Sequence, residues 1–163
     1  MRDYRLDLFN RLAEKIDVHF VFTYTNNDED FPGLFEQARF SYTIVNEKKN
    51  FLAYSQGFSF DLIGVLWRTD ADVIISSDMT SWATHIGYLI ALLRRKRFIL
   101  FDELWGWPKT FAAKLLKPYA KLIARKSIIV AAGSAAKSFF EGFGAKRIIV
   151  ANDCAVDIED KFN

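Results

Sequence analysis

Apolar residues follow two alternating spacings along most of the chain, one helical and one strand-like. Helices are predicted over residues 4–15, 58–68, 81–95, 108–126 and 134–144. Strands are predicted over residues 18–22, 41–45, 72–76, 97–101, 127–132 and 146–150. Strands that are apolar throughout and separated by helices indicate a parallel sheet. We therefore predict an α/β fold: a doubly wound, Rossmann-like parallel sheet with helices on both faces.

Length and composition favour a soluble domain in a reducing compartment. The chain has 163 residues, of which 51% are hydrophobic, enough for one domain with a substantial core. Its single cysteine, Cys154, cannot form an internal disulfide, so a cytoplasmic location is predicted. The longest uncharged stretch, residues 79–93, is shorter than the ~20 residues that a membrane-spanning helix needs.

Positive charge is concentrated in residues 94–126, which carry a net charge of +8 in a chain whose total is +2. The predicted helix over 108–126 separates its lysines from an apolar side that includes Leu115, Leu122 and Ile123, and Pro118 is expected to kink it. The basic side is either an ordinary solvated surface or a site for anionic lipid headgroups at the inner face of the membrane, where each cation contributes ~1 kcal/mol. Nucleic acid is not predicted, because the aromatic residues lie among apolar ones rather than among the basic ones. The predicted membrane-docking residues are Arg94, Arg95, Lys114, Lys117, Lys121 and Arg125.

Several common catalytic and cofactor motifs are missing from the sequence. The glycines are scattered and form no phosphate-binding loop, and no spacing suits a metal site, so neither a metal nor a bound cofactor is predicted. His19 and His85 lie in a strand and in an apolar helix, where core or boundary positions are expected. Ser134 and Lys137 match an S-x-x-K pattern, but helix capping by Ser134 explains that serine better. No catalytic residue is assigned.

Three loops follow predicted strands at their carboxyl ends, where open α/β sheets bind ligands. The loop at residues 102–107 combines two acids with two tryptophans, a mixture that suits a sugar; alternatively, the tryptophans close the end of the sheet. Asp78 follows the strand over 72–76 and could instead cap the next helix. The predicted ligand-binding residues are Asp78, Asp102, Glu103, Trp105 and Ser134.

The order of these segments resembles the N-terminal half of a GT-B glycosyltransferase of group 1, family 4. The residues that carry the resemblance lie at 4–12, 71–75, 98–105, 124–130, 134–145 and 149–157. The resemblance implies a retaining hexosyltransferase without a bound metal, which uses a nucleotide-sugar donor. This chain would be the acceptor-binding part, for a cell-envelope or lipid-linked glycan. It would be inactive alone.

The resemblance also divides the chain. Residues 1–152 are predicted to form the acceptor-side domain, and 153–163 to begin a linker to an absent donor-binding domain. The family's first, central strand is missing, so another strand, another subunit or a second copy is expected to complete the sheet. Two alternatives stay open: a non-catalytic membrane-docking subunit of a split glycosyltransferase, and a stand-alone α/β binding module.

Overall fold

A computed structural model describes residues 3–24, 35–46 and 59–151 of the chain. The described helices are α1 (Asp3–Ala13), α2 (Phe60–Arg68), α3 (Trp82–Leu93), α4 (Phe111–Lys126) and α5 (Ser134–Gly142). The described strands are β1 (His19–Tyr24), β2 (Ser41–Asn46), β3 (Val73–Ser77), β4 (Arg97–Asp102), β5 (Ile128–Ala132) and β6 (Ile148–Ala151). Each predicted helix and strand is confirmed, with shifted ends. The predicted linker at residues 153–163, which includes Cys154, lies outside the described residues. Residues 25–34, between β1 and Phe35, also lie outside them.

The chain divides into two compact units, one of residues 1–47 and 154–163 and one of residues 48–153. In the first unit β1 and β2 form a parallel pair with Phe20 opposite Tyr42. Helix α1 packs on this pair through Phe9, whose ring centroid lies 4.5 Å from that of Phe20. Leu6, Phe35 and Phe40 complete the buried cluster. This unit is held largely by aromatic packing.

Two polar side chains fix the connections in the first unit. Asn10 on α1 is buried; its Oδ1 accepts the backbone N–H of Arg39 at 2.7 Å, and its Nδ2 donates to the carbonyl of Gln37 at 3.3 Å. His19 lies at the surface, where its ring nitrogens pair with the hydroxyls of Ser41 at 3.0 Å and Thr43 at 2.8 Å. Asn10 therefore ties α1 to the segment before β2, and His19 ties β1 to β2.

The second unit contains a four-stranded parallel sheet in the order β3-β4-β5-β6. Each new strand is added on the same side of the preceding one, and right-handed crossovers then place every connecting helix on one face. The core lies on that face, between α3, α4, α5 and strand residues such as Ile74, Leu100 and Ile129. Ile75 and Ile149 point to the other face and are more than half exposed. Within residues 59–151 the described core lies on one face, and helices on both faces of the sheet stay a prediction.

The described strands belong to two separate sheets. The coarse prediction of an α/β fold with parallel strands and connecting helices is confirmed. The described strands do not form one continuous sheet. The extent of the domain, residues 1–152, stays a prediction.

The buried side of helix α4 differs from the apolar side that the sequence pattern indicates. Its buried side consists mainly of small residues, namely Ala113, Ala120 and Ala124, together with Ile123. Alanine lets a helix lie close to its neighbours, and the larger Leu115 and Leu122 face outward with 72% and 43% of their surface exposed. The sequence groups these two leucines with Ile123 on one apolar side, but of the three only Ile123 is buried. The helix continues through Pro118. Within the described ranges, no helix has both the length and the apolar character needed to cross a bilayer.

Asn10→Ala should destabilise the first unit selectively. The substitution leaves the backbone N–H of Arg39 without its acceptor, which costs about 1–3 kcal/mol. Amide hydrogen exchange should show faster opening in α1, β1 and β2, with the amides of β4 and β5 unchanged. Equal acceleration in both units would contradict a local role for Asn10.

Candidate functional site

The carboxyl ends of β3 and β4 meet at one edge of the four-stranded sheet. The two strands pair in parallel, with Ser77 opposite Phe101, so the residues that follow them leave the sheet side by side. Asp78 follows β3 directly, and Asp102 is the last residue of β4. The structure therefore places two of the predicted site residues in adjacent positions, as the parallel topology requires.

Asp78 forms a tight turn between β3 and α3. Its backbone is left-handed, with φ of 66°, and its Oδ1 accepts the backbone N–H of Thr80 at 2.8 Å. The hydroxyl of Thr80 also donates to this oxygen. Helix α3 is capped by Ser81, whose hydroxyl oxygen accepts the N–H of Ala83 at 3.1 Å. Helix capping therefore does not account for Asp78.

Asp102 is a buried carboxylate that holds two loops. Its Oδ2 accepts the N–H of Met79 at 2.6 Å, and its Oδ1 accepts the N–H of Leu104 at 2.9 Å. Burial raises the pKa of Asp102 to about 6; the backbone hydrogen bonds oppose the rise, and the negative charge of Asp78 adds to it. Asp102 can therefore exchange a proton close to neutral pH while it organises the ends of both strands.

His85, in the first turns of α3, joins this group. Its ring stacks on Tyr119 of α4, with centroids 5.4 Å apart, and meets Trp82 edge-on at 6.1 Å. Burial lowers the pKa of His85 to about 4, and the carboxylate of Asp78 partly opposes that fall. The prediction of a core histidine is confirmed by its 5% exposure. Sequence reasoning missed its place beside Asp78; the available signal was its position at the start of the helix that follows β3.

The other predicted residues do not join this group. Glu103 and Trp105 are exposed on the loop after β4, and Ser134 is exposed at the start of α5. Ser134 is the first helical residue, and the N-cap is Gly133 with φ of 91°, so the predicted cap role of Ser134 is wrong. Gly133 adopts this positive φ without the strain that a side chain would bring. The binding roles of Glu103, Trp105 and Ser134 stay predictions.

Trp107 has a structural role. Its indole N–H donates to the carbonyl of Ala113 at 2.8 Å, and its ring packs on Phe143 with centroids 5.3 Å apart. This tryptophan fits the interpretation that the loop closes the end of the sheet. Trp105, with 81% of its surface exposed, does not.

The basic run after α3 is partly engaged in the fold. The guanidinium of Arg94 donates to the carbonyls of Trp67 and Thr69, and the ammonium of Lys96 donates to those of Thr69 and Ala71. These contacts satisfy carbonyls at and after the end of α2. Arg95 is exposed, with φ of 56°. The structure gives Arg94 a role within the fold, and its docking role stays a prediction.

The chemistry available at this edge is hydrogen bonding and proton exchange. Asp102 changes protonation near pH 6, and His85 stays neutral down to about pH 4. In the ranges 3–24, 35–46 and 59–151, no three histidine, cysteine or acidic side chains come together as a metal site would require. The arrangement suits recognition of a polar ligand.

Asp102 and His85 should give stability opposite dependences on pH. The raised pKa of Asp102 contributes stability that is fully present below about pH 4 and lost as the pH rises through 6. The lowered pKa of His85 contributes stability that is present above about pH 6.5 and lost as the pH falls through 4. Each effect has an upper limit of about 3 kcal/mol. In the intact protein the two largely cancel.

Urea unfolding between pH 4 and 7 should separate the two contributions. In His85→Phe, stability relative to the parent should fall as the pH rises, because Asp102 is left unopposed. In Asp102→Asn, stability relative to the parent should instead rise as the pH rises. If stability relative to the parent changed with pH in the same direction in both variants, the assignment of opposite contributions to Asp102 and His85 would be contradicted.

The chain matches no family model, no curated protein and no solved structure. The function of this edge of the sheet is therefore argued from its own residues.

Proposed function

We propose that this chain is the acceptor-side domain of a retaining glycosyltransferase that acts at an anionic membrane surface on a glycan or lipid-linked acceptor. The observation that carries the proposal is the outer surface of α4, which displays large apolar side chains beside a row of cations. The nucleotide-sugar donor and a donor-binding domain or subunit would be supplied separately.

Apolar residues form a continuous stripe along the outside of α4. Phe111, Leu115, Pro118 and Leu122 follow one another at spacings of four, three and four residues, which keeps them on one helical face. All four are exposed, and Phe111 and Leu115 have 84% and 72% of their surface accessible. The buried alanine side of the same helix faces the opposite direction. Within residues 59–151, most of the surface of Phe111 and Leu115 is therefore left uncovered.

Cations flank this stripe on one side. Lys114, Lys117, Lys121 and Arg125 follow at spacings of three, four and four residues, between the stripe and the buried side. The ammonium groups of Lys117 and Lys121 lie 6.0 and 5.8 Å from the ring centroid of Phe143, which follows α5. An apolar stripe beside a basic row is the pattern of a helix that lies in the interface of an anionic bilayer.

The same segment of chain joins this surface to the candidate site. Asp102 ends β4, Trp105 is exposed three residues later, and Phe111 begins α4. Tryptophan is favoured at the boundary between water and lipid. A domain that rests on the membrane through α4 would therefore place the carboxyl edge of its sheet within reach of a ligand anchored in that membrane.

The strand arrangement also supports the resemblance to the GT-B half. The resemblance implies a central strand before α1, and the described residues begin with α1. A parallel sheet without its central strand would fall into two parallel pieces, and two parallel pieces are what the described strands form. What completes them, whether another strand, another subunit or a second copy, stays a prediction.

A non-catalytic docking subunit is the second candidate function. It is favoured by the exposure of Glu103 and Trp105 on the loop after β4, because neither side chain is buried beside Asp102 and His85. Such a subunit would use the same α4 surface to recruit a separate donor-binding protein. Recognition of a lipid-linked sugar by the chain itself separates the two candidates.

Membrane docking predicts a specific loss when the cations are removed. The triple variant Lys114→Gln, Lys117→Gln and Lys121→Gln should bind phosphatidylglycerol vesicles roughly 100-fold more weakly at low salt, at ~1 kcal/mol for each cation. Vesicle sedimentation measures this loss. Lys137→Gln is the matched control, because Lys137 pairs with Glu141 on α5 and should have no effect. Equal binding of the parent to phosphatidylcholine vesicles would contradict the electrostatic part.

The apolar stripe should contribute to vesicle binding even at high salt concentration. Phe111→Ala with Leu115→Ala should lower vesicle binding by about tenfold or more even at high salt, because burial of each side chain is worth about 1.5–3 kcal/mol. Phe60→Ala is the matched control: Phe60 is 78% exposed but lies on α2. A loss as large in the control would contradict docking through α4.

The acceptor role predicts extra binding to vesicles that carry a lipid-linked sugar. Vesicles containing polyprenyl-diphosphate-N-acetylglucosamine should bind the chain more tightly than phosphatidylglycerol vesicles of equal charge. Asp78→Asn and Asp102→Asn should remove this increment and leave the remaining vesicle binding intact, whereas Asp61→Asn on α2 should remove nothing. Vesicle binding without any increment would favour the docking subunit.

A further inference from the structure

The imidazole of His85 is buried, and among residues 3–24, 35–46 and 59–151 neither of its nitrogens has a hydrogen-bond partner. A neutral imidazole carries one N–H donor and one acceptor nitrogen. Leaving such groups unpaired in the interior costs about 1–3 kcal/mol each. Buried polar groups are nearly always satisfied in native proteins, so both nitrogens require an explanation.

The surroundings of His85 show why the fold tolerates this residue. Tyr119 stacks on one face of the ring, and the Tyr119 hydroxyl donates to the backbone carbonyl of His85 at 3.3 Å. Trp82 meets the ring edge-on. These contacts hold the ring in place by packing and use none of its polarity, so an aromatic ring without nitrogens would fill the same space.

The nearest polar groups are those of the sheet edge. Asp78 lies close enough for its charge to act on His85, and the same carboxylate acts on Asp102. Asp78 is therefore close to both, and its own turn is held by Thr80. The unpaired nitrogens thus belong to the group of polar side chains where β3 and β4 end.

We propose that His85, Asp78 and Asp102 form a binding site for an uncharged, hydroxyl-bearing ligand, in which a ligand hydroxyl completes the hydrogen bonding of His85. This inference names the ligand class of the proposed acceptor site and rests on the proposed function for the ligand's identity as an acceptor. Trp82 and Tyr119, which contact the ring, are both partly exposed, so His85 lies directly behind side chains that reach the surface.

The hydrogen-bonding chemistry selects a hydroxyl over an anion. A hydroxyl both donates and accepts, so it can serve either nitrogen of a neutral imidazole. An anion such as a carboxylate only accepts, and it would lie close to Asp78 and Asp102. Like charges brought together in this way cost several kcal/mol. His85 therefore determines specificity for neutral groups only in combination with its acidic neighbours.

Glycerol and glycerate test this proposal as a matched pair, since they differ by one carboxylate. The chain contains only two histidines, so the imidazole nitrogens of His85 and His19 are easily distinguished by ¹⁵N NMR. Glycerol should shift the His85 nitrogens saturably at pH 7 and leave His19, which already pairs with Ser41 and Thr43, unchanged. Glycerate should bind at least about tenfold more weakly.

Two variants separate ligand binding from a packing role. His85→Phe keeps the stacking on Tyr119 and should leave the thermal stability at pH 7 unchanged or raised, while the glycerol-induced shifts of the amides of residues 78–85 are lost. Asp78→Asn keeps an acceptor for Thr80 and a residue type that tolerates positive φ, and it should narrow the difference between glycerol and glycerate.

The outcomes decide between the alternatives. A saturable His85 response to glycerol that is lost in His85→Phe supports the site, whatever the vesicle measurements show. No saturable response, or destabilisation by His85→Phe with the glycerol response retained, overturns it. Equal binding of glycerate overturns the selectivity for neutral ligands. Membrane docking through α4 is unaffected by any of these results.

Discussion

The order in which the four parallel strands are added to the sheet determines where the helices and the carboxyl ends of the strands lie in residues 59–151. Because β3, β4, β5 and β6 are added in one direction and in parallel, their connecting helices share one face and their carboxyl ends share one edge. The first consequence creates a helical layer with a free outer surface. The second brings Asp78 and Asp102 together from positions 24 residues apart in the chain. The proposed docking surface and the candidate site therefore arise from the same topology.

Helix α4 separates two kinds of apolar contact on opposite sides. Its inner side uses Ala113, Ala120 and Ala124, which allow a close approach to the core, while its outer side displays Phe111 and Leu115. A helix with both sides apolar would ordinarily lie inside a larger protein. Here the cations along one flank, Lys114 to Arg125, instead make the outer side suitable for a charged lipid surface. The distinction depends on residue size as well as on polarity.

The sequence was sufficient for the helices and strands because their periodicity is strong. It could not reveal which apolar side of α4 is buried, because a helical pattern gives the spacing of Leu115 and Leu122 but not the close contact that favours alanine. It also could not show the winding direction, on which the one-sided packing depends. At the site, Asp78 and Asp102 could be predicted from strand ends. His85 could not, because its role depends on the absence of partners, which only the packed structure reveals.

Asp102 has a consequence for how this protein can diverge. One carboxylate receives the amides of Met79 and Leu104, so a replacement without an acceptor oxygen disturbs the loops after β3 and β4 together. The neighbouring Glu103 and Trp105 are exposed and can change one at a time. If the proposed site binds a ligand, its preference can therefore change through residues 103 and 105 while the structural role of Asp102 is kept. The end of β4 and its loop thus combine one position that tolerates little change, Asp102, with two positions that can vary, Glu103 and Trp105.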